Sequence, residues 1–434
     1  MSPEELQAAI AVANEINLEV YYYWCTAVMI LIHAGFMMYE MGASRVKHTL
    51  AAGTKNILAF AYMIPTFWMF GWWIYLAMTN GFVPDFEAGA AGVPWGENMG
   101  PNMQDNASGV FWGAFTLFAC TTASIMSGAV IERIRMTAFI ILAVILGSVV
   151  WILAASWSWH YAGWMVTEWG YHDFGASGLV HMVSGFFALG VLIHLGPRIG
   201  KFNADGSANV IRGHSLPMTM VGLMLIVVGF FGFLGGCLIF PGTSVSWYAT
   251  EWANIYGMPT TLSTICFNTL MGVAGGMIGA YMKTRDPFWM MSGALCGIIS
   301  VASGMDLYYP GLTFVLAFVG GIVGPISAQL FEKFGIDDAV GAVSVHGTCG
   351  ILGVLFAGIF LGGYPQFSDS IPTITFGGQF KGMIVMFLLG FVPGFVFGWL
   401  FKVLGILRAS DGVQEVGMDV EVEAMAYPED IKTN

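Results

Sequence analysis

Apolar stretches long enough to cross a lipid bilayer recur along the whole chain, and no other feature restricts its folding so severely. A hydrocarbon core about 30 Å thick needs roughly 20 apolar residues per helix, and only helices or closed barrels satisfy their own backbone hydrogen bonds in lipid. Stretches of that length between polar breaks predict helices over 19–40, 51–79, 108–131, 136–159, 172–196, 215–240, 260–283, 287–304, 308–331, 339–361 and 379–406. The expected fold is an all-α integral membrane protein with eleven transmembrane helices. Charged residues are only 10% of the sequence, against roughly 25% in a soluble domain.

The 58 glycines fit this solvent, because small residues let membrane helices approach closely where no hydrophobic effect drives them together. Six cysteines lie in apolar segments without CxxC spacing, which predicts neither a disulfide framework nor a zinc site. A net charge of -12 argues against nucleic-acid partners. The N-terminal stretch MSPEELQAAIAVANEINLEV is acidic and polar and lacks the basic start of a secretory signal, so either the first membrane helix directs insertion or a signal has been removed.

An odd number of spans puts the termini on opposite faces. All 15 Lys and Arg residues except Lys381 fall in or beside alternate loops or in the C-terminal tail. By the positive-inside rule the N-terminus is external and the C-terminus cytoplasmic. Aligning the polar residues inside the spans exposes a repeat: Asp173-FGASGLV-His181 near the start of the fifth helix and Asp338-AVGAVSV-His346 near the start of the tenth, each with a Gly four residues later (Gly185, Gly350). Five spans per copy turn the second copy over, an arrangement transporters use to set equivalent residues around a central site. The expected organisation is a membrane domain over 1–407, with inverted 5+5 repeats at about 19–196 and 215–361 plus one helix at about 379–406, and a cytoplasmic tail over 408–434.

Ionisable residues in membrane spans are costly and face cavities or one another, so His181 and His346 are the first functional candidates. Each could instead merely bond a neighbouring helix, though the matched repeat argues against that. A metal site is disfavoured because two His without a third ligand make a poor zinc set; neither metal nor cofactor is expected. Two neutral imidazoles bonded to each other offer one donor and one acceptor in an apolar conduit, which suits a small hydrogen-bonding solute. Asp173 either caps the fifth helix or draws a cation to the external mouth, and both roles can coexist. Asp338 reads as a helix start. Aromatics cluster in WSWHYAGW and in the third and sixth helices, as an interfacial belt or as faces toward a vestibule.

The segments DFGASGLVHMVSG and DDAVGAVSVHGTCGILG resemble the twin-histidine segments of the Amt/Mep/Rh ammonium transporter family. AGFMMYEMGASRVK resembles that family's first helix and loop, FACTTASIMSGAVIERIR its third helix and GFFGFLGGC its sixth. The resemblance spans nearly the entire chain. It implies a homotrimer in a bacterial or archaeal cytoplasmic membrane, with one pore per subunit and ammonium or ammonia as the solute. Phe118 and Phe233 match the phenylalanine gate, and His181 and His346 the pore pair. The external ammonium site would draw on Asp173, Cys237 and an aromatic that spacing back from Asp173 puts at Tyr161, with Trp159 close by. This chain departs from the family at Leu234 and Cys237, where Asn and Ser are usual, and at Phe115, where Gln is common; a thiol accepts hydrogen bonds more weakly than a hydroxyl. Those departures keep a second function open, an ammonium sensor that signals through its tail to a fused or associated domain or to a cytoplasmic regulatory protein. No nucleophile motif or phosphate loop points to an enzyme.

Overall fold

A computed structural model describes residues 1–96, 106–240, 252–423 and 426–427. Eleven helices are long and apolar enough to cross a membrane: α1 (Pro3–Ala43), α2 (Val46–Ala77), α3 (Gly109–Ala129), α4 (Met136–Ser158), α5 (Ser177–Leu195), α6 (Leu216–Gly235), α7 (Leu262–Thr284), α8 (Pro287–Gly304), α9 (Pro310–Lys333), α10 (Val343–Phe360) and α11 (Phe376–Val403). The predicted set is met, with shifted ends. Helix α1 starts 16 residues before the expected 19, because Ser2 and Glu5 form a reciprocal capping box and the Ala- and Glu-rich segment behind them favours helix even in water. The fifth and tenth helices start later than 172 and 339, since Ala176 and Gly341 both take left-handed backbone with φ of 68° and 80°. The sixth ends at Gly235 rather than 240, where the chain turns into a two-residue ladder, Leu238–Ile239 antiparallel to Ala253–Asn254. The last part of the predicted tail, 428–434, lies outside the described residues.

Helix contacts follow the inverted repeat. Helix α1 packs along α6 and α5 crosses α10, the two pairs that the repeat maps onto themselves; contacts of α2 with α3 and α4 are matched by contacts of α7 with α8 and α9. Helix α11 lies outside both repeats and covers α5. Close approach at the α5–α10 crossing depends on the repeated glycines. A Cβ on Gly185 would stand 2.4 Å from the Gly347 nitrogen, and one on Gly350 would stand 2.5 Å from the Ser177 carbonyl. The exposed faces carry Trp24, Ile57, Met224, Phe267, Val315 and Trp399, consistent with lipid as solvent.

On the face that bears the tail, buried ions tie the loops together. Asp337 accepts from Arg198 Nε and Nη2 at 2.9 Å each, and Arg133 Nη2 approaches the same carboxylate at 3.8 Å. Burial raises the Asp337 carboxyl, but the Arg133 guanidinium and the bonded Arg198 outweigh it and hold the group well below the carboxylate range. Glu132, with φ of 71°, forms an ion pair with Arg45 at 2.6 Å. The tail docks on the same face: Ala409 N–H donates to the Arg133 carbonyl, Met418 N–H to His48 Nδ1, and Asp419 accepts from Ala51 N–H at the start of α2.

Two outcomes test this packing. Gly185→Ala is expected to cost about 1–3 kcal/mol and lower the thermal unfolding midpoint in detergent, whereas Gly311→Ala, with nothing within 4 Å, leaves it unchanged. Asp337→Asn strands two buried guanidiniums and is expected to cost about 3–5 kcal/mol. Because the folded Asp337 titrates below its unfolded value, its stabilisation is complete above the ordinary carboxylate range and fades as pH falls toward the folded value. Melting curves across acid pH should show this loss in the wild type and less of it in the Asn variant.

Candidate functional site

Both histidines stand just inside helix starts that are built alike. The Asp173 Oδ2 accepts from the Gly178 and Leu179 N–H groups at 2.9 Å each, and Asp338 accepts from Ala342 and Val343 at 2.9 and 2.6 Å. Each carboxylate thereby satisfies donors that a helix start leaves orphaned. The capping role considered for Asp173 and the helix start expected at Asp338 are both present. Three residues after each Asp the chain goes left-handed, at Ala176 and at Gly341; a non-glycine residue in that region is uncommon, so Ala176 is held there by its surroundings. From these points the chain enters π-helical turns, Ser177–Met182 and Val343–Thr348. Such turns re-aim side chains and concentrate at functional positions. Burial raises both carboxyls, Asp338 to about 6 against its backbone donors.

The imidazoles meet where the two helices cross. His181 Nδ1 and His346 Nδ1 lie 3.0 Å apart, and the rings stack at 30° with centroids 5.1 Å apart. One Nδ1 must donate and the other accept. The donor ring then has a bare Nε2 and the acceptor ring a protonated one, so the pair turns one acceptor and one donor toward anything beside it. His181 Nε2 is buried without a partner.

Aromatic rings continue the file toward the face opposite the tail. Phe233 stacks on His181 at 6.1 Å, Phe118 meets Phe233 edge-on at 4.3 Å, and Trp159 meets Phe118 edge-on at 5.1 Å. Phe115 closes the group, with Trp159 and Trp151 each 5.9 Å away. The two aromatics considered for the mouth therefore separate. Trp159 is buried in this file and donates its Nε1 to the Asp173 carbonyl at 2.8 Å, while Tyr161 is 48% exposed and stacks on His160. Cys237 lies one turn beyond Phe233 and donates its thiol to the Phe233 carbonyl. Leu234 packs on the Asp173 loop, 2.8 Å from where a Gly175 Cβ would stand; apolar contact replaces the polar residue the family resemblance led one to expect.

Asp173 itself is fully buried. Its second oxygen accepts from Ser303 at 2.5 Å, and its N–H donates to the Tyr256 hydroxyl, which donates to the Ser158 carbonyl. The carboxylate is thus enclosed by donors rather than open to a cation at the mouth. Gln379 of α11 clasps His172 through both its N–H and its carbonyl, and His172 faces Asp306 at 3.2 Å. Ser303, Tyr256 and Gln379 could not be named from sequence, because each lies more than 80 residues from its partner and carries no periodic signal. On the tail side Phe36 approaches His346 at 6.2 Å, and a cavity lined by Phe36, Glu40, Gly128, Val340 and His346 opens beneath the pair. Among the described residues no cluster of three or more metal-ligating side chains occurs.

Comparison with known proteins places the chain as a whole. A model of the Ammonium Transporter Family matches residues 20–427. Ammonium transporter Amt2 of Methanocaldococcus jannaschii is 30% identical over 438 residues, covering 98% of this chain and 94% of that protein. Among solved structures, a sensor Amt protein superposes with a TM-score of 0.79 at 24% identity over 96% of this chain and 100% of that one. Candida albicans Mep2 superposes at 0.72 and 20% identity, covering 91% and 86%. At these identities the structural likenesses are likenesses of fold. The extent of the family match and the Amt2 identity together establish that this chain, an integral membrane protein, belongs to the ammonium transporter family.

Proposed function

We propose that this protein conducts ammonium nitrogen through the file that runs from Trp159 past Phe118 and Phe233 to the histidine pair. The observation that carries this reading is the 3.0 Å contact between two buried imidazoles with an unpartnered Nε2 on His181. A charged solute entering such a ring-lined segment loses hydration that nothing there replaces, so ammonium sheds its proton and continues as ammonia. The bare Nε2 of the donor tautomer accepts the proton, the shared Nδ1 proton shifts to the partner ring, and the partner releases its own Nε2 proton on the far side. Both rings end neutral with their tautomers exchanged.

Trp159, Cys237 and the Asp173 loop form the external mouth on this reading, with Asp173 holding the loop rather than touching the solute. The basic face faces the cytoplasm of a bacterium or archaeon, and the protein assembles as a homotrimer, as the family resemblance implies. A second reading, an ammonium sensor on the same scaffold, draws support from the tail, whose bonds to His48 and Ala51 engage the start of α2. It requires binding without conduction, and signalling through the tail to a fused or associated domain.

Flux into proteoliposomes, followed by a lumenal pH dye and by ammonium-driven current, separates the two. Flux in the wild type is expected. Ammonium binding without flux or current would reject conduction and leave sensing. His181→Ala and His346→Ala should each lower transport about a hundredfold, and the double variant should be no worse than either single, because the pair acts as a unit. Trp159→Leu should weaken apparent ammonium affinity about tenfold while Tyr161→Leu leaves it near wild type; equal effects of the two would dissolve the distinction drawn from ring geometry.

A further inference from the structure

Glu40 lies in the last turn of α1 and is fully buried. Its side chain lines the cavity directly beneath His346. Burying an ionisable side chain is expensive unless it is paired and hydrogen-bonded. Its partners are specific. Asn56 Nδ2 donates to one carboxylate oxygen at 2.9 Å and the Ser127 hydroxyl donates to the other, while Ser127 and Asn56 are themselves 3.2 Å apart. Lys55 donates to the Ser127 carbonyl at 3.1 Å and brings its positive charge to the same cluster. A purely structural cluster has no need to face a cavity shared with the histidines, and among the residues lining that cavity Glu40 is the only carboxylate.

We propose that Glu40 is the inner proton acceptor of the pore: the carboxylate takes the proton that leaves His346 Nε2 across the shared cavity, and then passes it to the tail-side solvent. In this step the N–H bond at Nε2 breaks, leaving a neutral imidazole. An O–H bond forms on Glu40, whose carboxylate becomes the neutral acid; no other reactant is consumed. Lys55 from α2, Tyr39 from α1 and His346 from α10 are the charged or titratable groups that share its cluster and cavity, with Asn56 and Ser127 orienting the two oxygens. Lys55 acts as a positioning residue, because it holds the carbonyl of Ser127, whose hydroxyl donates to Glu40. The inference rests on the conduction reading for its role in transport, but proton arrival at Glu40 can be observed separately.

Glu40→Gln suits the test because Gln can keep both bonds, with its carbonyl toward Asn56 Nδ2 and its amide toward Ser127 Oγ. Infrared difference spectra of the wild type, with saturating ammonium minus without, should show the C=O band of a newly protonated carboxyl. That band should vanish in Glu40→Gln and shift in Glu40→Asp. Absence of the band, or its persistence in Glu40→Gln, overturns the proposal. In proteoliposomes, Glu40→Gln should lose about a hundredfold of the ammonium-driven current, and Glu40→Asp should recover most of it; undiminished current in Glu40→Gln also overturns the proposal. The two assays fail independently. A Glu40 band in a protein that passes no current rejects conduction and keeps the acceptor, whereas wild-type current without the band rejects the acceptor and keeps conduction.

Discussion

Everything in this protein is arranged around the crossing of α5 and α10. The imidazoles come to within 3.0 Å where the two backbones nearly touch, and Gly185 against Gly347, with Gly350 against Ser177, removes the side chains that would hold the helices apart. The crossing also needs both helix starts deep inside the protein, where unsatisfied N–H groups are most costly. Asp173 and Asp338 meet that need from within the repeat. The same two aspartates that allow the helices to begin there fix the direction in which the π-helical turns aim the histidines. Caps, turns and glycines are therefore one device, copied and inverted.

A pair of buried imidazoles gains its chemical character from what surrounds it. Rings from α3 and α6, with Trp159 beyond the end of α4, fill the approach from one face and present no hydrogen-bonding atom toward the axis that would replace lost hydration. On the other side the environment changes sharply, to a cavity with a carboxylate in its wall and a lysine close behind. The histidine pair divides a ring-filled segment from a cavity that holds one carboxylate among largely apolar residues. On the proposed reading, this asymmetry about a symmetric pair gives proton transfer a direction of release.

The repeat itself was legible in the sequence because its signature is local: Asp, His and Gly recur at fixed spacing within 13 residues, and the offset of 165 holds for each of them. The number of spans was equally legible, since apolar length is a property of each segment alone. Helix ends were less so. Nothing in DFGASG announces that Ala176 rather than a glycine takes positive φ, and the extra turns of α1 arise from a capping box at Ser2 that hydropathy does not register. Spacing alone left Tyr161 and Trp159 both open as the mouth aromatic, because the chain between Trp159 and Asp173 passes through a short helix, Trp164–Trp169, so distance along the sequence does not measure depth. Glu40 stood in the segment AGFMMYEMGASRVK from the start, but its meaning depends on Asn56, Ser127 and His346, which only the fold assembles.

The tail-bearing face completes the structure by joining elements that the inverted repeat leaves apart. Asp337 lies beside Asp338, the cap of α10, and binds Arg198 just beyond α5, so one carboxylate links the far end of one crossing helix to the near end of the other. Arg133 shares that carboxylate and offers its carbonyl to Ala409, which draws the tail onto the same joint. From there the tail reaches His48 and caps α2 through Asp419, one turn before Lys55. The charged groups in these links are largely buried, and burying a charge is tolerable only where partners are held in place. Displacement of the tail would thus free the Ala51 N–H at the start of the helix that carries Lys55 and Asn56. The helix start gripped by the tail is thus the start of the same helix that carries Asn56, which donates to Glu40, and Lys55 beside it.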